Sequence, residues 1–271
     1  IHNRCTMQTF SVAPLRKVRK YIQKSFHKSE VESLSSQFFS SDDDSNVPEP
    51  DSLGALGSIF DMGGVADFET DLSTVPEGGI WIISGTNPAD VLFKLPGLML
   101  KPKVRLVSFT FQKDTDGKGS SWAVPEQYCT TEYLERALEA ANGAQSPPHP
   151  PEALPNVMDA LEGDRSTVSF FIASIFRREL LEFGAKGVFQ RWSHHRLIDK
   201  VPSAIQPYWD DCPEVLQPSF RTLADGTVVT EFFTCRVVPP VMIVRHLDQY
   251  PSNGYTPMSK NQVLIKFKAR S

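Results

Sequence analysis

The chain has 271 residues, 40% of them hydrophobic and 22% charged, with a formal net charge of −4; it is long enough for one large domain or two modest ones and too apolar for a disordered chain. Twenty-one prolines against sixteen glycines favour many fixed turns and short elements over a long-helix bundle. The longest apolar stretches, Gly79–Ser84 and Val168–Phe176, fall well short of the roughly eighteen residues a helix needs to cross a bilayer, so no transmembrane span is expected.

The net charge conceals segregation. Residues 1–28 hold seven basic residues and no acid, whereas residues 29–93 hold thirteen acids and neither Lys nor Arg. Blocks of this kind are typical of interaction arms on a near-neutral body, and residues 1–75 are expected to run as such arms. After Pro14, which suits a first helical turn, Leu15, Val18, Ile22 and Phe26 recur at helical spacing. Arg16, Lys17, Arg19, Lys20 and Lys24 lie mostly off that stripe and are candidate interaction residues for an acidic partner or anionic lipid. An acid-free, basic amphipathic segment also has the texture of an organellar transit peptide. The competing reading is an ordinary helix packed on its own domain. From Ser33 to Asp51 the composition is that of a linker, in which Phe38 and Phe39 are the candidate anchors.

The folded body begins with Gly79–Ser84, which reads as a short buried strand, followed by Asn87-Pro88 as the cap and first turn of a helix. Strand, turn and helix start can bind phosphate, but the glycine spacings that make such a loop are missing. Residues 103–112 alternate as a strand, and Asp114–Gly119 reads as a hairpin-type turn; its acids do not keep calcium-loop spacing. Thr131–Ala141 is a helix with Asn142-Gly143 as its stop, and Ser146–Pro151 forms a stiff connector between a small strand/helix segment (76–145) and a C-terminal domain (153–271).

Residues 166–183 give the strongest helix, with Val168, Phe171, Ile172, Ile175, Phe176, Leu180 and Phe183 forming a wide apolar face. The period then changes to two, and strands are expected over 188–198, 219–223, 227–238, 241–247 and 262–269, with Asp225-Gly226 as a hairpin turn. The fold class is therefore α+β: a C-terminal antiparallel β-meander covered by an amphipathic helix, preceded by a smaller α/β segment and extended N-terminal arms.

The densest polar constellation is Arg191–Arg196. On a strand, His194 and His195 point to opposite faces and cannot share a metal, while Trp192, His194 and Arg196 share a face and are candidates for the wall of a pocket, with His194 the best candidate base. Cys5, Cys129, Cys212 and Cys235 show neither disulfide-framework nor zinc spacing, and no nucleophile elbow or metalloprotease motif occurs. No catalytic residue, metal or cofactor is assigned. The sequence pI of about 5.9 argues against nucleic acid as a partner. These features favour a non-catalytic accessory or structural subunit of a large organellar membrane complex, most simply mitochondrial, on the matrix side or associated with the inner membrane, with a chloroplast as the other location; its partners would be other protein subunits and anionic lipid at the basic helix. The alternatives are a small-molecule or lipid-binding enzyme or carrier with a pocket on the curved sheet, and a peripheral organellar ribosomal subunit.

Overall fold

The structure, a computed structural model, describes residues 7–31, 78–144, 146–203, 205, 213 and 215–267. A short strand β1 (Gln8–Thr9) leads into α1 (Ala13–Val31). The smaller segment supplies β2 (Ile80–Ile83), α2 (Ala89–Leu92), β3 (Leu98–Leu100), β4 (Val104–Lys113), β5 (Asp116–Pro125) and α3 (Thr131–Ala144). Then follow β6 (Leu161–Gly163), α4 (Thr167–Leu181), β7 (His195–Ile198), β8 (Ser219–Thr222), β9 (Val228–Arg236), β10 (Val241–Tyr250) and β11 (Met258–Phe267). The fold is α+β with a C-terminal β-meander.

Local chemistry explains the boundaries. Ser166 caps α4 by accepting a hydrogen bond from the Ser169 amide at 3.2 Å, and Asn87 accepts from the Ala89 amide at 3.0 Å. Between β8 and β9, Asp225 accepts from the Thr227 amide at 2.9 Å and Gly226 takes φ +81°, a conformation that costs a residue without a Cβ little.

The main sheet runs β1-β8-β9-β10-β11, all antiparallel, and β7 joins it beside β8 on the same edge of β9. Phe220 pairs with Thr230 and His195 with Arg236, so β8 and β7 lie end to end along β9. One sheet face carries Val228, Thr230, Phe232 and Thr234 of β9 with Val244, His246, Asp248 and Tyr250 of β10, and it lies under α4 and α1. The opposite face carries Phe233, Cys235, Val241 and Ile243, covered by Ile198, Val201, Ile205 and Leu216. Because α4 lies between α1, β3, β5 and β9, it is buried on nearly every side from Ser169 to Leu180, not along a single stripe; Val168, expected on the apolar face, is exposed.

The described part of the N-terminal region departs from the expectation of arms. β1 adds to the edge of β8, the Phe10 amide donates to the Pro218 carbonyl at 2.8 Å, and the Phe10 ring meets Phe171 edge-on at 5.7 Å. Leu15, Ile22 and Phe26 are buried in the main core, where Phe26 packs against Phe176 and Phe183. An amphipathic stripe with an uncovered apolar partner on its own domain buries it there, as the hydrophobic effect requires. Phe38 and Phe39 lie outside the described residues. The 146–152 connector also runs within packed structure: Leu98, Leu106 and Ala123 share a core with Phe170 and Phe232, and β3 pairs with β6.

The small sheet, β2-β4-β5, packs Trp81, Phe109, Phe111 and Val124 against α3. β2 was expected to be buried, but it is an edge strand, and Ile80 is 62% exposed. Its outer backbone is nevertheless engaged. The Trp81 amide donates to Asn142 Oδ1 at 2.7 Å, and Asn142 Nδ2 donates back to the Trp81 carbonyl at 3.1 Å. Read from the sequence as a helix stop, Asn142 lies within α3 and serves as a one-residue substitute for a neighbouring strand, which blunts an otherwise adhesive edge. Among the described residues β11 pairs only with β10, and its exposed Lys260 and Lys266 protect that edge by charge.

Replacing Asn142 with Ala removes both bonds from the Trp81 edge. At about 1 kcal/mol net for each, urea unfolding should show a loss of about 2 kcal/mol, with earlier aggregation on heating; a variant indistinguishable from the parent would show that the capping contributes nothing.

Candidate functional site

The polar residues that the sequence offered for chemistry converge where α1, α4 and the turn before β7 meet. Arg19 is 6% exposed. Its Nε donates to Glu179 Oε1 at 2.6 Å, one Nη to the Trp192 carbonyl at 2.8 Å and the other to the His195 carbonyl, while its guanidinium lies 4.4 Å from the centroid of the Trp192 ring. Glu179 Oε1 also accepts from Trp192 Nε1 at 2.7 Å and from Gln23 Nε2 at 3.2 Å. This geometry explains the correction to the strand expected over 188–198. Glu182 collects the amides of Arg191, Trp192 at 2.6 Å and Ser193 at 2.5 Å, folding Trp192–His194 into a short turn; Asp116 accepts from the Val188 amide at 3.1 Å at the other turn, Gly187–Phe189, and only His195–Ile198 remains extended. Burial pushes the Glu182 carboxyl upward against the pull of those three amides.

One turn before Glu182, Arg178 forms a second buried pair. Its two Nη atoms reach Asp248 Oδ2 at 2.5 Å and Oδ1 at 3.0 Å, and Ser259 Oγ donates to Asp248 Oδ1 at 2.5 Å. Burial alone would raise the Asp248 carboxyl; the Arg178 charge and the hydrogen bonds outweigh it and hold it below the usual range. Beside this pair, Ser174 Oγ bonds the Tyr250 hydroxyl at 2.7 Å and Thr230 Oγ1 at 3.0 Å.

Between the two ion pairs runs a chain of neutral groups. His195 Nδ1 lies 2.8 Å from Thr234 Oγ1, Thr234 Oγ1 lies 2.8 Å from His246 Nε2, and His246 Nδ1 lies 2.8 Å from Asn261 Oδ1. Since Asn261 Oδ1 only accepts, His246 Nδ1 carries the proton and its Nε2 accepts from the Thr234 hydroxyl, which in turn accepts from His195 Nδ1–H. Burial, then the His246 and Arg19 charges, lowers His195 to about 2; burial and the Arg178 charge lower His246 to about 3. Both imidazoles are therefore neutral near pH 7, and their ring planes pack against Trp192 and Phe232.

The remaining candidates separate. Trp192 is buried between Arg19 and Arg178. His194 sits in the turn with its Nδ1 buried and without a hydrogen-bond partner among the described residues; burial and then the Arg236, Arg196 and Arg191 charges lower its pKa. Arg196 Nη1 donates to the Ser193 and His195 carbonyls at 2.6 and 3.2 Å. Trp192 thus packs inside the helix–sheet interface, while His194 and Arg196 lie in and just after the turn that precedes β7. A cavity of about 350 Å³ lies between β5, residues 154–158 and the face of α4 that carries Arg177. Arg16 donates to the Leu197 carbonyl at 2.9 Å, and only Lys17, Lys20 and Lys24 of the basic set are exposed. Among the described residues no three His, Cys, Asp or Glu side chains converge as a metal site, and the Cys235 thiol is pushed up to about 12 by burial.

Sequence reasoning missed Arg178, Glu179, Thr234, His246 and Asp248. The signal was present: Arg178 and Glu179 interrupt the strongest apolar helix, and His246 and Asp248 occupy alternate positions of a strand. No family model, curated protein or solved structure matches the chain.

Removing one partner of a buried pair leaves the other charge uncompensated, at a cost of about 3–5 kcal/mol. Glu179→Gln should therefore lose stability on that scale in urea unfolding, and Arg19→Met/Glu179→Leu should recover part of the loss; a Glu179→Gln variant within about 1 kcal/mol of the parent would mean that the pair does not fasten α1.

The histidine chain sets an acid limit. Both folded-state values lie below the unfolded 6.5, so the unfolded chain takes up protons first and stability present above pH 6.5 is lost as pH falls towards about 3 and about 2. The slope is about 1.4 kcal/mol per pH unit for each histidine. Urea midpoints at pH 7 and pH 5 should reveal it, and His246→Gln should shallow the dependence; identical midpoints would contradict buried neutral imidazoles.

Proposed function

We propose that the protein is a non-catalytic accessory subunit that works by binding other proteins within a larger organellar assembly. The observation that carries this reading is the internal use of its chemically capable side chains: Arg19, Glu179, Trp192, His195 and His246 hold α1, α4 and the sheet to one another. Two outward features fit a binding role. Lys17 and Lys24 are exposed two turns apart on α1, with Lys20 between them, and this stripe suits an acidic surface on a partner protein. Among the described residues β11 is paired on one side only, and Met258 and Val263 are 73% and 51% exposed on it beside Lys260 and Lys266. Because α1 belongs to the core, its transit-peptide texture does not support the organellar location, and the binding role stands apart from that location.

The test is native size fractionation of cell and organelle extracts containing the full chain with an affinity tag. Co-migration with defined protein partners far above the 30.3 kDa of one chain, reduced in Lys17→Glu/Lys24→Glu without a change in Tm, is the expected result. Migration as a single chain in every fraction, or unchanged co-migration of the Lys variant, would overturn the reading or its basic-face component, respectively.

A further inference from the structure

We propose that the cavity beside Arg177 is a binding site for a small aliphatic carboxylate, independent of the partner-binding role. Three walls form it. Arg177, Leu180 and Leu181 share one face of α4, as their three- and four-residue spacing requires. Leu154, Pro155 and Val157 form the facing wall, and β5 closes the third side with Gly119 and Ser121. Gly119 is required by the packing of that wall, because a Cβ there would stand 2.0 Å from the Phe183 carbonyl oxygen.

The polar lining holds one cation, Arg177, one amide, Asn156, and the hydroxyls of Ser120 and Ser121. Arg177 is partly buried and has neither a hydrogen-bond nor a carboxylate partner among the described residues. Burial, reinforced by the neighbouring Arg178 charge, lowers its pKa, and Asp248 and Tyr250 offset part of that. Asn156 accepts from the Met158 amide at 2.9 Å through Oδ1, which leaves its NH2 group as the donor available to a ligand. None of the lining residues is acidic. A cation with no carboxylate beside it selects an anion or a strong hydrogen-bond acceptor, and a half-buried cation gains more from one than a fully solvated surface lysine does.

The rest of the lining sets the other half of the ligand. The volume of about 350 Å³ lies at the lower end of the range of small-molecule sites, about 300–1,000 Å³, and the walls are mainly aliphatic. Leu181 is 70% exposed at the end of an otherwise buried helix, where a bound alkyl chain would cover it. A carboxylate on Arg177 with a short alkyl chain along Leu180, Leu181 and Val157 uses every one of these features. The geometry calls for binding alone and involves no bond making.

Octanoate and 1-octanol, equal in chain length and different in charge, should be titrated into the full chain and followed by calorimetry and by ligand-observed NMR. Octanoate should bind at least 10-fold more tightly than 1-octanol. Arg177→Met should abolish that preference, and Leu181→Glu, at the exposed rim where folding is not at stake, should weaken octanoate at least 10-fold. Equal affinity for the two ligands, no octanoate binding by the full chain, a preference surviving Arg177→Met, or unchanged octanoate affinity in Leu181→Glu would overturn the proposal.

Discussion

The Arg19 guanidinium has left water for a site between α1, α4 and the turn that precedes β7, and the arrangement of those three elements depends on how that charge is compensated. Burying such an ion costs several kcal/mol unless its charge and all its donors are matched. Here Glu179 supplies the countercharge, the Trp192 and His195 carbonyls each accept from one of the two Nη groups, and the Trp192 ring offers its face. The partners come from α4 and from the turn before β7, so the rotation of α1, the position of α4 and the path of residues 191–195 cannot be changed separately. Glu182 fixes the same turn from below by binding its amides.

Its consequences extend across the sheet. The face under the helices carries Thr230, Thr234, His246 and Asp248 in addition to apolar residues, while the opposite face is closed by Phe233, Cys235, Val241 and Ile243. A polar layer of this kind is stable only when each member is satisfied, and the low local dielectric makes every omission costly. The Arg178–Asp248 pair, the Ser174–Tyr250 bond and the His195–Thr234–His246–Asn261 chain meet that condition. Stacking of His246 on Phe232 at 4.9 Å and of His195 on Trp192 at 5.6 Å suits neutral rings. The result is an interface that admits one register of helices on sheet, with polarity serving specificity.

Period-two segments with strong turn chemistry, such as β9 and β10 around Asp225-Gly226 and the Pro239-Pro240 corner, were legible from the sequence because side-chain alternation and turn propensity agree there. The helical nature of α1 was legible too, but its role was not. Arg19 lies four residues after Leu15 and three before Ile22, on the buried stripe itself; counted with the surrounding lysines it looks like one more solvated charge. The stretch 188–194 has the composition of a strand, and two carboxylates distant in sequence, Asp116 on the Val188 amide and Glu182 on the amides of residues 191–193, convert it into turns. β11 begins at Met258, four residues ahead of the strand expected at 262–269, because Ser259 and Asn261 look like loop residues until their buried partners Asp248 and His246 are known. The Arg177 cavity was not legible, since it depends on residues 119–122, 154–158 and 177–181 meeting in space.

Whether α1 is an integral element of the fold is most directly measured by amide hydrogen exchange on the full chain. Exchange of the amides of residues 18–26 should be slowed to the same extent as in α4 and β9, because all three open together only when the Arg19 site is lost. Exchange of residues 18–26 at the rate of an isolated helix, with α4 and β9 still protected, would contradict the account.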